Sequence, residues 1–158
     1  MEAEKVIKEI TAQKDDFKVV QRGQMIESIT KLNQTFHFID LSYAKQGIFF
    51  HGWIGYRTTD QIKQVLDGHF MDLYMQYKCK SMLIENTRMS GSFADINDWL
   101  AGYFMPKMIG FGLKNNAVVL PQNIFAQLGV EDWDKKVGCF VSRNFGSVSD
   151  AINWLKTS

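Results

Sequence analysis

Glu85, Asn86, Arg88, Ser90 and Ser92 are the polar residues whose types and spacing could do chemistry. A fixed guanidinium beside free backbone donors at a helix start suits an oxyanion. Arg88, just before a helix expected from Ser92, therefore reads as a receiver for an anionic group of a ligand or partner. Glu85 and Asn86 stand beside it, and Glu85 is the one acid or base an enzyme could use there. The plainer reading is that these side chains solvate a turn and hold one another. Ser92 would then be a helix N-cap, whose loss costs about 1 kcal/mol. Trp99 and Tyr103, on the helix that follows, each combine an apolar body with a polar tip and would serve as core or as a pocket wall with Trp53.

The three histidines, His37, His51 and His69, share no element at ligand spacing, and no cysteine lies close enough to complete a zinc pattern. The expectation is three structural histidines and no metal. The chain has no nucleophile-elbow glycine pattern and no Gly-x-x-x-x-Gly-Lys phosphate loop. A non-catalytic protein without a cofactor is the reading that follows.

These residues must be positioned by a regular framework. Thr35–Tyr43 and Ile48–Tyr56 are rich in aromatic and β-branched residues and read as two strands, with Ala44–Gly47 as a tight hairpin link. Thr58 precedes Gln61 at capping-box spacing, and Ile62, Val65, Leu66, His69, Phe70 and Leu73 follow as one buried helical face running to about Tyr77. Ser81–Glu85 reads as an interior strand, and Asn86–Gly91 as the polar loop leaving it. A helix from Ser92, with Asp95 completing a second capping box, buries Ile96, Trp99, Leu100, Tyr103 and Phe104. Pro106 should kink or restart it. Ala117–Leu120 is a strand, Gln122–Leu128 a short helix ended by Gly129, Val137–Val141 a last strand, and Ser147 with Asp150 caps a final helix.

The predicted fold class is thus α/β, a mixed, mostly parallel five-stranded sheet with helices on its faces in the order β-β-α-β-α-β-α-β-α. Residues 35–158 form this domain. Residues 1–34 form an N-terminal extension, partly helical because Val6, Ile7 and Ile10 repeat at helical spacing. The hairpin's first strand is a candidate edge for pairing with a second copy.

Composition bounds the partners. Lys and Arg number 18 and Asp and Glu 17, a formal charge of +1. Charge this evenly mixed gives no global field for nucleic acid or an anionic membrane. No apolar run approaches the roughly 20 residues that span a bilayer. The opening residues read as no secretory signal. Cys79 and Cys139 form no Cys-x-x-Cys pair and read as thiols in a reducing compartment, which places the protein in the cytoplasm.

The order of elements from Thr35 to Leu155 resembles the STAS superfamily of anti-sigma-factor antagonists, in particular its SpoIIAA-like or STAS/SEC14-like group of small bacterial proteins. Three stretches carry the likeness: Asn86-Thr-Arg-Met89, Ala117-Val-Val-Leu-Pro121 with Phe125-Ala-Gln-Leu128, and Ala151-Ile-Asn-Trp-Leu155. The resemblance implies a regulatory docking module in which a serine at the helix after the third strand is phosphorylated to switch partner binding. That serine would fall on Ser90 or Ser92, although the antagonists read Asp-Ser where this chain reads Arg88-Met-Ser-Gly91. Two functions follow as expectations. One is a protein-interaction module that uses the Ser92 helix and the loop before it. The other is a binder of a small amphipathic or acidic ligand in a crevice at Glu85–Ser92.

Overall fold

Runs of β-branched and aromatic residues become strands along most of the chain. The computed structural model describes residues 4–10, 16–91, 93–121, 123–124, 134–137 and 140–158. Among these, nine strands form one mixed sheet: β1 (Lys5–Ile10), β2 (Phe17–Arg22), β3 (Met25–Thr30), β4 (Thr35–Asp40), β5 (Ile48–Gly55), β6 (Ser81–Met89), β7 (Asn115–Val119), β8 (Asp134–Val137) and β9 (Phe140–Phe145). Their order across the sheet is β1-β2-β3-β4-β5-β6-β7-β9-β8. Strands β1 to β5 pair antiparallel in succession, β5-β6-β7-β9 are parallel, and β8 returns antiparallel on β9.

The expected mostly parallel sheet of five strands is therefore wrong: the sheet is wider, and antiparallel pairing dominates it. The difference lies mainly in residues 1–34, expected as a partly helical extension. Val6, Ile7 and Ile10 lie on β1, and β2 and β3 form a hairpin closed at Arg22 and Met25. Short apolar runs do not distinguish a strand from a helix by spacing alone. Pairing decides here, because β3 covers the edge that β4 would otherwise expose.

Three further boundaries move. The link after β4 is a 3-10 turn, Leu41–Gln46, entered through Asp40, whose carboxylate accepts from the Ser42 N–H at 3.0 Å. It ends at Gly47, where φ of 82° needs a residue without a Cβ. Strand β6 continues to Met89, because Ile54 and Gly55 of β5 pair with Arg88 and Met89. The final strand is two, β8 and β9. The expected helix Gln122–Leu128 with its Gly129 cap falls, apart from residues 123–124, outside the described residues, as do Ser92 and Cys139.

Two helical layers cover the sheet. On one face, α1 (Thr59–Val65) starts at a full capping box, Thr58 Oγ1 accepting from the Gln61 N–H at 3.1 Å and Gln61 Oε1 from the Thr58 N–H at 2.9 Å. A π-helical turn, Leu66–Phe70, joins it to α2 (Met71–Tyr77). After a 3-10 turn at Ala94–Ile96 come α3 (Asn97–Trp99), a second π turn, Leu100–Phe104, and α4 (Met105–Gly110), which Pro106 restarts in its first turn. On the other face lies α5 (Val148–Lys156), capped by Ser147. Side chains alternate along β5 accordingly: Phe49 and Trp53 join the larger core under α1 to α4, whereas Ile48 and Phe50 join Leu83, Val119, Ala151 and Leu155 beneath α5. Among the described residues no helix is long and apolar enough to cross a membrane.

Candidate functional site

The alternation on β5 and β6 sends His51, Trp53, Met82, Ile84 and Asn86 to the face beneath α1 to α4. Above them the packing is incomplete, and a cavity of about 190 Å³ remains. Its roof is formed by Leu66 from the first π turn, Leu100 and Phe104 from the second, and Met105 and Phe93 beside them. A π turn carries one residue more than an α turn and widens the helix, a distortion frequent at functional sites. Both helical segments over the cavity carry one, and in the first Gly68 leaves helical geometry at φ −109°, ψ −119°.

Of the three histidines, His51 lines the cavity, with His37 against it and His69 near His37. Antiparallel register pairs His37 with Trp53 and Ile39 with His51, so His37 and His51 are diagonal neighbours on one face. His37 Nε2 lies 3.0 Å from His51 Nδ1, one ring donating its N–H to the other. His69, from the first π turn, sits 6.4 Å from His37 between ring centroids. All three are buried. Burial, and then the neighbouring His51 and His69, hold His37 well below the ordinary histidine range. Burial alone pushes His51 down to about 3. The pair is therefore neutral at physiological pH. Its two facing nitrogens are spent on each other, and no group of three ligating side chains suited to a metal is found among the described residues. His37 Nδ1, His51 Nε2 and Asn86 Oδ1 are buried without a hydrogen-bond partner among the described residues.

Arg57, two residues past the end of β5, fixes the segment that flanks this cavity. Its side chain is buried, which lowers its pKa against the opposing influence of Tyr56. Nη1 donates to the Ser90 carbonyl, and the guanidinium lies 4.4 Å from the Phe93 ring centroid. Phe93 in turn meets Trp53 edge-on at 5.9 Å. One buried cation thus ties β5 to the chain leaving β6.

No family model, curated protein or solved structure matches the chain.

The residues singled out in the sequence are divided between the two faces of the sheet. Asn86 lines the cavity. Glu85 points the other way and is held locally: its carboxylate accepts from the Thr87 N–H at 2.8 Å and from the Thr87 hydroxyl, with Arg88 at 3.5 Å. The Arg88 side chain is 58% exposed and lies 5.6 Å from the Phe38 ring on the α5 face. Ser90 is exposed, its N–H bonded to the Gly55 carbonyl. Trp99 and Tyr103 sit outside the cavity. Trp99 stacks on Phe104 and walls a shallow groove with Lys63 and Asp67, while the Tyr103 hydroxyl donates to Asp67 at 3.0 Å. Of the three aromatic residues expected around a ligand, Trp53 alone lines the cavity. The histidine pair, Arg57, Phe93 and the roof of Leu66, Leu100 and Met105 were not foreseen as one site. The parity of His37, His51 and Trp53 on neighbouring strands was the signal that could have found the floor.

Proposed function

We propose that the protein is a non-catalytic module that binds a small, mainly apolar molecule in the cavity between β5, β6 and the two π turns. The observation that carries this reading is the wall itself: a space of about 190 Å³ lined mainly by apolar and aromatic side chains, with His51 and Asn86 as the polar residues among them. A mainly apolar, concave space with few polar groups is the usual form of a small-molecule site. The regulatory docking role implied by the STAS resemblance is compatible with it, since a ligand under Phe93 and Leu100 would set the surface presented by α3 and α4.

The test is an NMR titration of the protein with small aromatic compounds. Shifts should concentrate at Trp53, Ile84, Asn86, Leu100 and Met105. Leu100→Trp, which fills the space, should abolish them, and Arg88→Glu, on the far face, should leave them unchanged. Shifts that ignore the cavity, or binding that survives Leu100→Trp, would refute the assignment.

A further inference from the structure

Lys45, Lys78, Lys80, Lys114 and Lys156 are spread along the sequence, but the topology gathers them at one end of the sheet. Strands β5, β6 and β7 run parallel with Ile48, Ser81 and Asn115 side by side, so the segments that lead into them share an edge. Adjacent strands lie only about 4.8 Å apart. Backbone bonds hold these segments together. The Ser81 N–H donates to the Gly47 carbonyl at 3.1 Å, and the Lys114 and Asn115 N–H groups donate to the Lys80 carbonyl at 2.8 and 3.0 Å. Helix α5 finishes at the same end, where Lys80 Nζ donates to the main-chain oxygen of Ser158 at 2.9 Å.

All five lysines are exposed. The segments that build this end, residues 41–49, 73–84, 105–119 and 151–158, contain no Asp or Glu. Of the carboxylates that border them in sequence, Asp40 is turned to the Ser42 N–H and Asp72 lies in the first turn of α2. Lys45, Lys78, Lys114 and Lys156 form no ion pair among the described residues. Helix dipoles account for Lys78 and Lys156, at the C-terminal ends of α2 and α5, but not for Lys80 and Lys114, which precede strands. The overall charge of +1 thus conceals a local surplus of positive charge.

We infer that this end of the molecule docks on an anionic membrane surface as a peripheral contact, a role independent of the cavity. The type of cation favours a membrane over nucleic acid. All five are lysines, which meet an anionic surface as point charges and lack the planar fork that grips phosphates and base edges. The arginines are engaged with Glu4, Ser90, Glu85 and the Trp154 ring. The last turn of α2 also leaves Met75 and Tyr77 exposed beside Lys78. An apolar side chain and an amphipathic ring amid lysines suit the headgroup layer of a bilayer. Each lysine held near such a surface contributes a factor of about five in binding, and salt screens it.

The test is sedimentation of the full chain with vesicles of phosphatidylcholine alone or with one third phosphatidylserine. The protein should pellet with the mixed vesicles, stay in solution with the neutral ones, and be released as salt is raised. Lys45→Gln with Lys114→Gln should weaken binding about 25-fold, two factors of about five. Lys18→Gln with Lys63→Gln, an equal change of charge elsewhere, should leave it unaltered. Met75→Ser with Tyr77→Ser should weaken binding at constant charge. Unchanged denaturation midpoints would show that the variants are folded. No pelleting with the mixed vesicles, equal pelleting with both, or equal effects of the two lysine pairs would overturn the inference. So would tighter binding of a single-stranded oligonucleotide that depends on Lys45 and Lys114, which would assign the surface to nucleic acid instead.

Discussion

Lowering the pH should destabilise this protein through His51, by an amount the structure sets. His51 stays neutral in the fold until about pH 3, because burial opposes its charged form. The unfolded chain takes up that proton near the ordinary value of 6.5. Between these values the unfolded state binds more protons, so the contribution is fully present above the unfolded pKa and is lost as pH falls toward the folded one. From about pH 7.5 to about pH 5 the loss from His51 is ~2 kcal/mol, or 1.36 kcal/mol per unit over about 1.5 units. His37, also lowered by burial and by its neighbours His51 and His69, adds a loss of the same sign. Urea denaturation at the two pH values reads this directly: with a slope of about 2 kcal/mol per molar, the midpoint drops by about 1 M for His51 alone. His51→Gln removes this titration, so its midpoint should fall less over the same interval by about that amount. Parallel pH curves for the two proteins, or a His51 imidazole titrating near 6.5, would refute the reasoning.

Other substitutions test the framework around the cavity. Gly52→Ala should cost about 3 kcal/mol in denaturation experiments, because a Cβ there would run into the Glu85 carbonyl oxygen and would lie 2.6 and 2.7 Å from two atoms of the Phe38 ring. Arg57→Ala should cost about 2 kcal/mol, from the hydrogen bond to the Ser90 carbonyl and the contact with Phe93. It should also speed amide exchange at Ser90 and Phe93, whereas an unchanged exchange rate there would show that the guanidinium does not hold the segment.

The strongly patterned pieces could be read from residues alone. Thr58 and Gln61 mark the start of α1, Ser147 caps α5 and Pro106 restarts α4, because caps and proline act through local geometry. The hairpin of β4 and β5 was legible in kind, but the length of its link was not, since Leu41–Gln46 looks as strand-like as it is turn-like. Polar side chains hid the end of β6: Asn86, Thr87 and Arg88 read as a loop, yet their backbone belongs to a parallel ladder that depends on β5. β1 to β3 were hidden for the same reason, since nothing in Val6, Ile7 and Ile10 says which neighbour they pair with. The site suffered most. Arg88 was favoured by its position in sequence, whereas Arg57, 33 residues before the carbonyl it holds, is the buried cation. The contact of His37 with His51 exists only once register is fixed, and the cavity only once the two π turns fail to fill it.

The strand order also sets a timetable. Every pairing from β1 to β5 joins strands that follow one another in the chain across short connections, so the antiparallel half can close by local steps. The β5–β6 and β6–β7 pairings must each wait for a crossover of helices, and loop closure delays such contacts. A chain emerging from a ribosome would complete its meander while the cavity was still missing part of its floor and roof, leaving His51 and Trp53 uncovered until β6, α3 and α4 had arrived.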